Sequence, residues 1–158
     1  LSDIFGNSII TRYSSNAALA NAIKTADMVI GAVLVPGAAA PKLITHEQLS
    51  TMQAGAVLVD VAIDQGGCFE TSRATTHDEP TYIVDDIVHY CVANMPGSVP
   101  RTSSEALNNV TLPYVVALAD KGVEALNQDA HLSNGLNVKD GKIVYQAVID
   151  AIGEWSED

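Results

Sequence analysis

Two near-continuous apolar runs constrain this chain more than any other feature: Asp27–Leu34 (DMVIGAVL) and Ala56–Ile63, the latter interrupted only by Asp60. A strand with one wet face alternates apolar and polar residues, whereas a parallel strand covered on both faces need not. Each run is short, and each is closed by turn formers, Pro36-Gly37 and Gly66-Gly67, so both read as buried strands. Between them Thr45-His46-Glu47-Gln48 has a Thr cap with Gln three residues on. That capping-box spacing predicts a short helix ending near Ala54-Gly55. Upstream, Ser8–Thr11 is a candidate strand, and Ser14-Ser15-Asn16 offers caps to a helix in which Leu19, Ala22, Ile23 and Ala26 recur at helical spacing. Downstream, Thr81–Val84 and His89–Ala93 are two more short strands. Strand, helix, strand, helix, strand is the pattern of a parallel sheet built from βαβ units.

The character changes near Pro100. Thr102-Ser103-Ser104-Glu105 is a second capping box. The helix it opens is expected to pause at Thr111-Leu112-Pro113, with Pro113 in the first turn of a further helix. Val115, Leu118, Gly122 and Ala125-Leu126 carry the apolar stripe of that helix, Asp140-Gly141 marks a turn, and Ala147–Ile152 is a final helix. The fold class is therefore α/β: a parallel sheet with flanking helices over residues 1–100, followed by a helical segment over residues 101–158.

Composition narrows the functions open to such a fold. Hydrophobic residues make up 47% and charged residues 17% of 158, enough for a core and against disorder. A net charge of −11 argues against nucleic acid and against an anionic membrane surface. No apolar run approaches the ~20 residues of a membrane-spanning helix, and no secretory signal pattern opens the chain. Cys68 and Cys91 have no metal-like spacing and read as reduced structural thiols of a cytosolic protein. His46, His77, His89 and His131 do not pair at ligand spacing, so no metal site is expected and all four read as non-catalytic.

In open parallel sheets, ligands bind outside the carboxyl ends of the strands. Asp64 follows the second apolar run, and the two glycines after it leave the adjoining space free of side chains. A carboxylate there can accept a proton, orient a water or balance a developing positive charge. Asp60, inside the run, is expected to bond locally. After the first run, Ala32–Gly37 (AVLVPG) makes a rigid turn that a flat ligand can approach closely. In Cys91–Pro96, the Asn94 amide can bond a carboxamide or ribose and Met95 can pack on a ring. Ser14 is either a ribose contact or a helix cap. Lys42 reads as a solvated surface lysine. No GxGxxG fingerprint is present. The strands therefore look like the later part of a dinucleotide fold, and the chain reads as starting inside a longer one.

Four stretches together resemble alanine dehydrogenase: TRYSS (11–15), ADMVIGAVLVPGAAAPKLIT (26–45), GAVLVDVAIDQGGCFE (55–70) and YCVANMPGSVPRTSSEALNNVTLPYV (90–115). The resemblance runs from about Ser8 to Gly153. It implies a partial Rossmann domain, the second half of an NAD-binding domain, over residues 1–100. Residues 101–158 would be a segment returning to a separate substrate domain. It implies reversible oxidative deamination of L-alanine to pyruvate and ammonium with NAD, in a cytoplasmic homohexamer. Residue by residue, Asp64 matches the active-site aspartate, Ser14 an adenosine-side contact, and Val33 and Leu34 residues packing along the cofactor. Val61, Asn94 and Met95 match nicotinamide-side contacts. The family's catalytic lysine and histidine and its substrate-binding arginine have no counterparts here, so the isolated chain is expected to be inactive. Two rivals stand beside this reading: the alpha subunit of nicotinamide nucleotide transhydrogenase, and a standalone nucleotide-binding module without chemistry. Asp64-Gln65 and ANMPGSVP favour alanine dehydrogenase over the transhydrogenase, and a standalone module would have little need for the whole segment from Pro100 to Gly153.

Overall fold

The structure, a computed structural model, describes residues 1–36 and 39–152. Gly37 and Ala38 lie outside the described residues, and with them half of the expected Pro-Gly turn. Residues 1–34 with 39–93 form one compact unit, and residues from Asn94 onward, with 35–36, form another.

The first unit contains α1 (Ser2–Phe5), α2 (Asn16–Ile23), β1 (Met28–Gly31), α3 (His46–Leu49), β2 (Val57–Asp60), β3 (Thr81–Val84) and β4 (Ile87–Tyr90). Its sheet has the order β1-β2-β4-β3. β1, β2 and β4 run parallel in a register that pairs Gly31 with Asp60 and Leu58 with His89. Both helical starts follow the expected capping chemistry. Ser15 accepts the Ala18 N–H at α2, and Thr45 and Gln48 close a reciprocal capping box at α3. Helix α3 is a single turn, ending at Leu49 rather than near Gly55. Ile23 and Leu49 reach one core with Ile44, Leu58, Phe69 and Ile87.

The expected all-parallel sheet is corrected at β3, which pairs antiparallel to β4. The connecting residues Asp85 and Asp86 have φ of 50° and 62°. Two left-handed central residues are the geometry of a tight hairpin, which joins neighbours without a crossover. The fourth strand correspondingly spans Ile87–Tyr90, not His89–Ala93. The candidate strand at Ser8–Thr11 is also absent. Gly6–Ser8 is a 3₁₀ turn, and no described neighbour supplies a ladder for the residues after it. Cover is one-sided as well: Leu58, Ile87 and His89 are buried on one face, while Met28, Ile30 and Ile83 on the other are more than half exposed.

The second unit is led by α4 (Pro100–Lys121), followed by α5 (Ala125–Gln128), α6 (Ala130–Ser133), the two-residue strands β5 (Val138–Lys139) and β6 (Lys142–Ile143), and α7 (Gln146–Ile152). Helix α4 starts two residues before the expected capping box, because Pro100 occupies its first turn, where no N–H is required. It also runs unbroken through Pro113. A proline inside a helix costs one backbone bond and a local clash, about 3 kcal/mol, and the helix runs on past it to Lys121, with Gly122 at its C-cap. The β5–β6 turn is made by Asp140 and Gly141 with φ of 51° and 76°, as their sequence anticipates. Among the described residues no helix is long and apolar enough to cross a membrane.

Candidate functional site

The parallel register brings the carboxyl ends of β1 and β2 side by side, Gly31 against Asp60. Gly31 must lack a side chain, since a Cβ there would stand 2.2 Å from Cys68 Sγ and 2.7 Å from the Phe69 ring. Beyond this pair the first strand has also ended, and the chain runs on through Ala32–Leu34 without regular secondary structure. The second strand stops at Asp60 and turns into a 3₁₀ segment, Val61–Gln65. The strand therefore ends three residues earlier than its apolar run, and Asp64 sits on a tight turn instead of at a strand tip. Ala32, Val33, Leu34, Val61, Ala62, Asp64 and Gln65 line a cavity of about 270 Å³. Four residues singled out in the sequence, Val33, Leu34, Val61 and Asp64, thus meet in one place. Asp64 is exposed. Gln65, to which the sequence gave no contact role of its own, adds a buried Oε1 with no donor among the described residues. Such a site offers apolar walls, one carboxylate and one spare acceptor. That combination suits a flat ring carrying an amide N–H beside a cationic or proton-donating group.

Ser14 lies elsewhere, in a hollow of about 310 Å³ with Arg12, Tyr13, Asn16, Leu19 and Leu43. Because Ser15 makes the cap bond, Ser14 is left out of capping. Asn94 and Met95 belong to the second unit. Asn94 is left-handed at φ 57° and lines an open apolar hollow with Pro96, Pro100, Leu107 and Val110. Met95 opens the 3₁₀ turn that follows. Among the described residues no cluster of His, Cys, Asp or Glu is placed to hold a metal ion.

Asp60 is wholly buried, and its role is to shape the loop that carries Asp64. One oxygen accepts the Cys68 N–H at 2.8 Å and the Ser72 hydroxyl; the other accepts the Cys68 thiol at 3.4 Å. All three partners donate, the arrangement an acceptor-only carboxylate satisfies. Burial, reinforced by this carboxylate, pushes the Cys68 thiol up to about 12, so it keeps its proton and donates. The loop bends back at Gly66 and Gly67, with φ of 88° and 75°. At Gly67 a Cβ would also stand 2.8 Å from the Asp60 carboxylate. Local bonding was expected of Asp60, whereas its donors lie 8 and 12 residues further along the chain. Its full burial and its three donors were not readable from an aspartate in an apolar run.

The far end of the loop is tied to the hairpin. Tyr82 donates its hydroxyl to Thr71 O at 2.9 Å, accepts the Arg73 N–H at 2.8 Å, and stacks on His89 at 4.8 Å. His89 Nδ1 faces the Ile87 carbonyl at 3.0 Å, and Nε2 faces the Thr71 hydroxyl at 2.8 Å. A carbonyl can only accept, so the proton sits on Nδ1 and Nε2 accepts from Thr71. Burial lowers the His89 pKa below its ordinary value. As the pH falls through about 6.5 the unfolded chain therefore takes up a proton at this histidine before the folded one does. Stability should fall as pH drops through that value, and His89→Gln should flatten the fall. Urea midpoints compared at pH 7.5 and pH 5.5 would show it; equal pH slopes in parent and variant would contradict it.

Residues 1–146 match the family described as alanine dehydrogenase/PNT, C-terminal domain. The chain is 63% identical over 154 residues to an alanine dehydrogenase of Halomonas elongata, covering 97% of this chain and 42% of that protein. It is 62% identical over 145 residues to one of Mycolicibacterium smegmatis, covering 91% and 39%. A solved L-alanine dehydrogenase superposes with a TM-score of 0.79 at 50% identity, covering 94% of this chain and 41% of that one. A transhydrogenase from Sinorhizobium meliloti superposes with 0.58 at 30% identity, covering 73% and 33%. The chain thus spans about two fifths of the length of the curated relatives it matches. From Leu1 to Gln146, it belongs to the alanine dehydrogenase/PNT C-terminal domain family.

Proposed function

We propose that this chain supplies the second half of the NAD-binding domain, and a C-terminal segment returning to the substrate domain, of an enzyme that interconverts L-alanine with pyruvate and ammonium. The observation that carries the reading is the cavity at the ends of β1 and β2, where Val33, Leu34 and Val61 surround Asp64. Identity of 63% to an alanine dehydrogenase, against 30% to the transhydrogenase structure, selects between the two branches of the family.

The residues present fit a nicotinamide. Val33, Leu34 and Val61 offer apolar contact to a ring, and the buried Gln65 Oε1 can accept a carboxamide N–H. Bound NAD would accept the hydride from the alanine Cα. Asp64 acts on the substrate side: its negative charge stabilises the cationic imine and orients the water that adds to it. The resemblance assigns Ser14 to the adenosine end and Asn94 and Met95 to the nicotinamide side. The buried, unpaired thiols Cys68 and Cys91 accord with a cytoplasmic setting, and the resemblance adds a homohexamer.

The test is NADH formation from L-alanine by the full-length protein that carries this sequence, beside the isolated 158-residue chain. The full-length protein should form NADH only when alanine is present, and the isolated chain should form none. Alanine-independent hydride transfer between NADH and NADP would favour the transhydrogenase reading. Activity of the isolated chain would show that the groups supplied elsewhere are dispensable.

A further inference from the structure

The backbone carbonyls of the four residues after Asp64 are all taken by donors from one short segment, 40–43. The Ala40 N–H donates to Gln65 O at 3.0 Å and the Leu43 N–H to Cys68 O at 2.7 Å. Between them, Lys42 Nζ donates to Gly66 O at 2.6 Å and to Gly67 O at 2.8 Å. The strands of bonding continue outward, with the Glu70 N–H on Ile44 O at 2.9 Å and Ile44 bridged in parallel to Phe69. Backbone donors reach the two flanking carbonyls but miss the two at the bend. An ammonium carries three N–H donors and covers both.

This bend is made by two consecutive glycines. Gly66 and Gly67 are both left-handed, and glycine has the widest conformational freedom of any residue. Asp64 sits two residues before them. On the other side of the bend the Asp60 carboxylate holds the Cys68 N–H. Lys42 is exposed and takes part in neither ion pair found among the described residues. Its ammonium is spent on the backbone carbonyls of the two glycines that directly follow the cavity-lining Asp64 and Gln65.

We propose that Lys42 is a positioning residue: by holding the Gly66 and Gly67 carbonyls, it locks the glycine turn and so fixes where Asp64 stands in the cavity. The proposal rests on the assignment of Asp64 to the reaction. Because Lys42 is exposed, its loss opens no hole in the core, and the effect is on geometry at the site.

The experiment measures steady-state kinetics of the full-length protein as Lys42→Met, Lys42→Arg, Asp64→Asn and the Lys42→Met/Asp64→Asn double variant. Lys42→Met should lower kcat about 10- to 100-fold with KM for NAD within about threefold, since misplacement by an ångström carries that scale of loss. Lys42→Arg, whose guanidinium also offers donors to two carbonyls, should recover kcat to within about threefold of the parent. Added to Asp64→Asn, Lys42→Met should cost less than about twofold more, because groups acting as one unit are not additive. Independently of activity, Gly66 and Gly67 amides should exchange hydrogen faster in Lys42→Met than in Lys42→Arg. Asp64→Asn inactive with Lys42→Met at parental kcat would overturn the positioning role alone. So would multiplicative losses in the double variant, or equal amide exchange in the two lysine variants. Full activity in Asp64→Asn would overturn the assignment of Asp64, and the positioning role with it.

Discussion

Replacing Asp64 by Asn in the full-length protein is expected to lower kcat about 1,000-fold, within the range by which positioned acid–base and electrostatic groups accelerate reactions. Asn keeps the size of Asp and much of its hydrogen bonding, so the substitution removes charge and little else. A factor of that size corresponds to about 4 kcal/mol of transition-state stabilisation. The KM for NAD should move by no more than about threefold, because a group acting on the reacting centre contributes little to ground-state cofactor binding. The fold should be indifferent: Asp64 is exposed on a 3₁₀ turn, where substitutions usually stay within about 0.5 kcal/mol. Steady-state kinetics and a thermal melt on the same preparation separate the two effects. A kcat within tenfold of the parent would remove Asp64 from the reaction.

Asp60→Ala should produce the largest loss of stability among the single changes considered, about 3 kcal/mol or more. Its carboxylate is wholly buried and receives the Cys68 N–H, the Ser72 hydroxyl and the Cys68 thiol. Alanine would leave the backbone N–H and the hydroxyl without an acceptor, and each orphaned buried group costs about 1–3 kcal/mol. Asp60→Asn should be milder, since one oxygen remains to accept while the new N–H₂ confronts donors. The measurement is a denaturant titration with the slope checked for constancy, so that a shifted midpoint reports stability alone. A loss below 1 kcal/mol in the alanine variant would mean that the 61–72 loop does not depend on this anchor. The same variant should also lose activity, because the loop it anchors carries Asp64.

The contrast between Asp60 and Asp64 shows where sequence reasoning reaches and where it stops. Both lie in or beside the same apolar run, and Asp64 could be singled out because two glycines follow it. Asp60 could only be given a local role, since its donors come from residues 8 and 12 positions on and depend on how the loop folds back. Lys42 was hidden for a stronger reason. Its partners are backbone carbonyls 24 and 25 residues away, and a carbonyl leaves no trace in a sequence. The antiparallel β3–β4 pair was legible in principle. Asp85-Asp86 between two short β-rich runs is a two-residue hairpin signal, outweighed here by the expectation of a regular parallel repeat.

What the sequence determined by itself is local. The Thr45–Gln48 capping box, the Asp140-Gly141 turn and the apolar strands β1 and β2 all follow from residues within a few positions of one another. Such features are set by short-range sterics and hydrogen bonding, which a linear string records. Only the tertiary structure decided that β2 ends at Asp60, that Gly31 must be bare against Cys68, and that one lysine and one buried aspartate grip opposite sides of a single glycine bend. Those outcomes depend on which distant groups arrive at the same point in space. Packing and the need to satisfy every buried donor settle them.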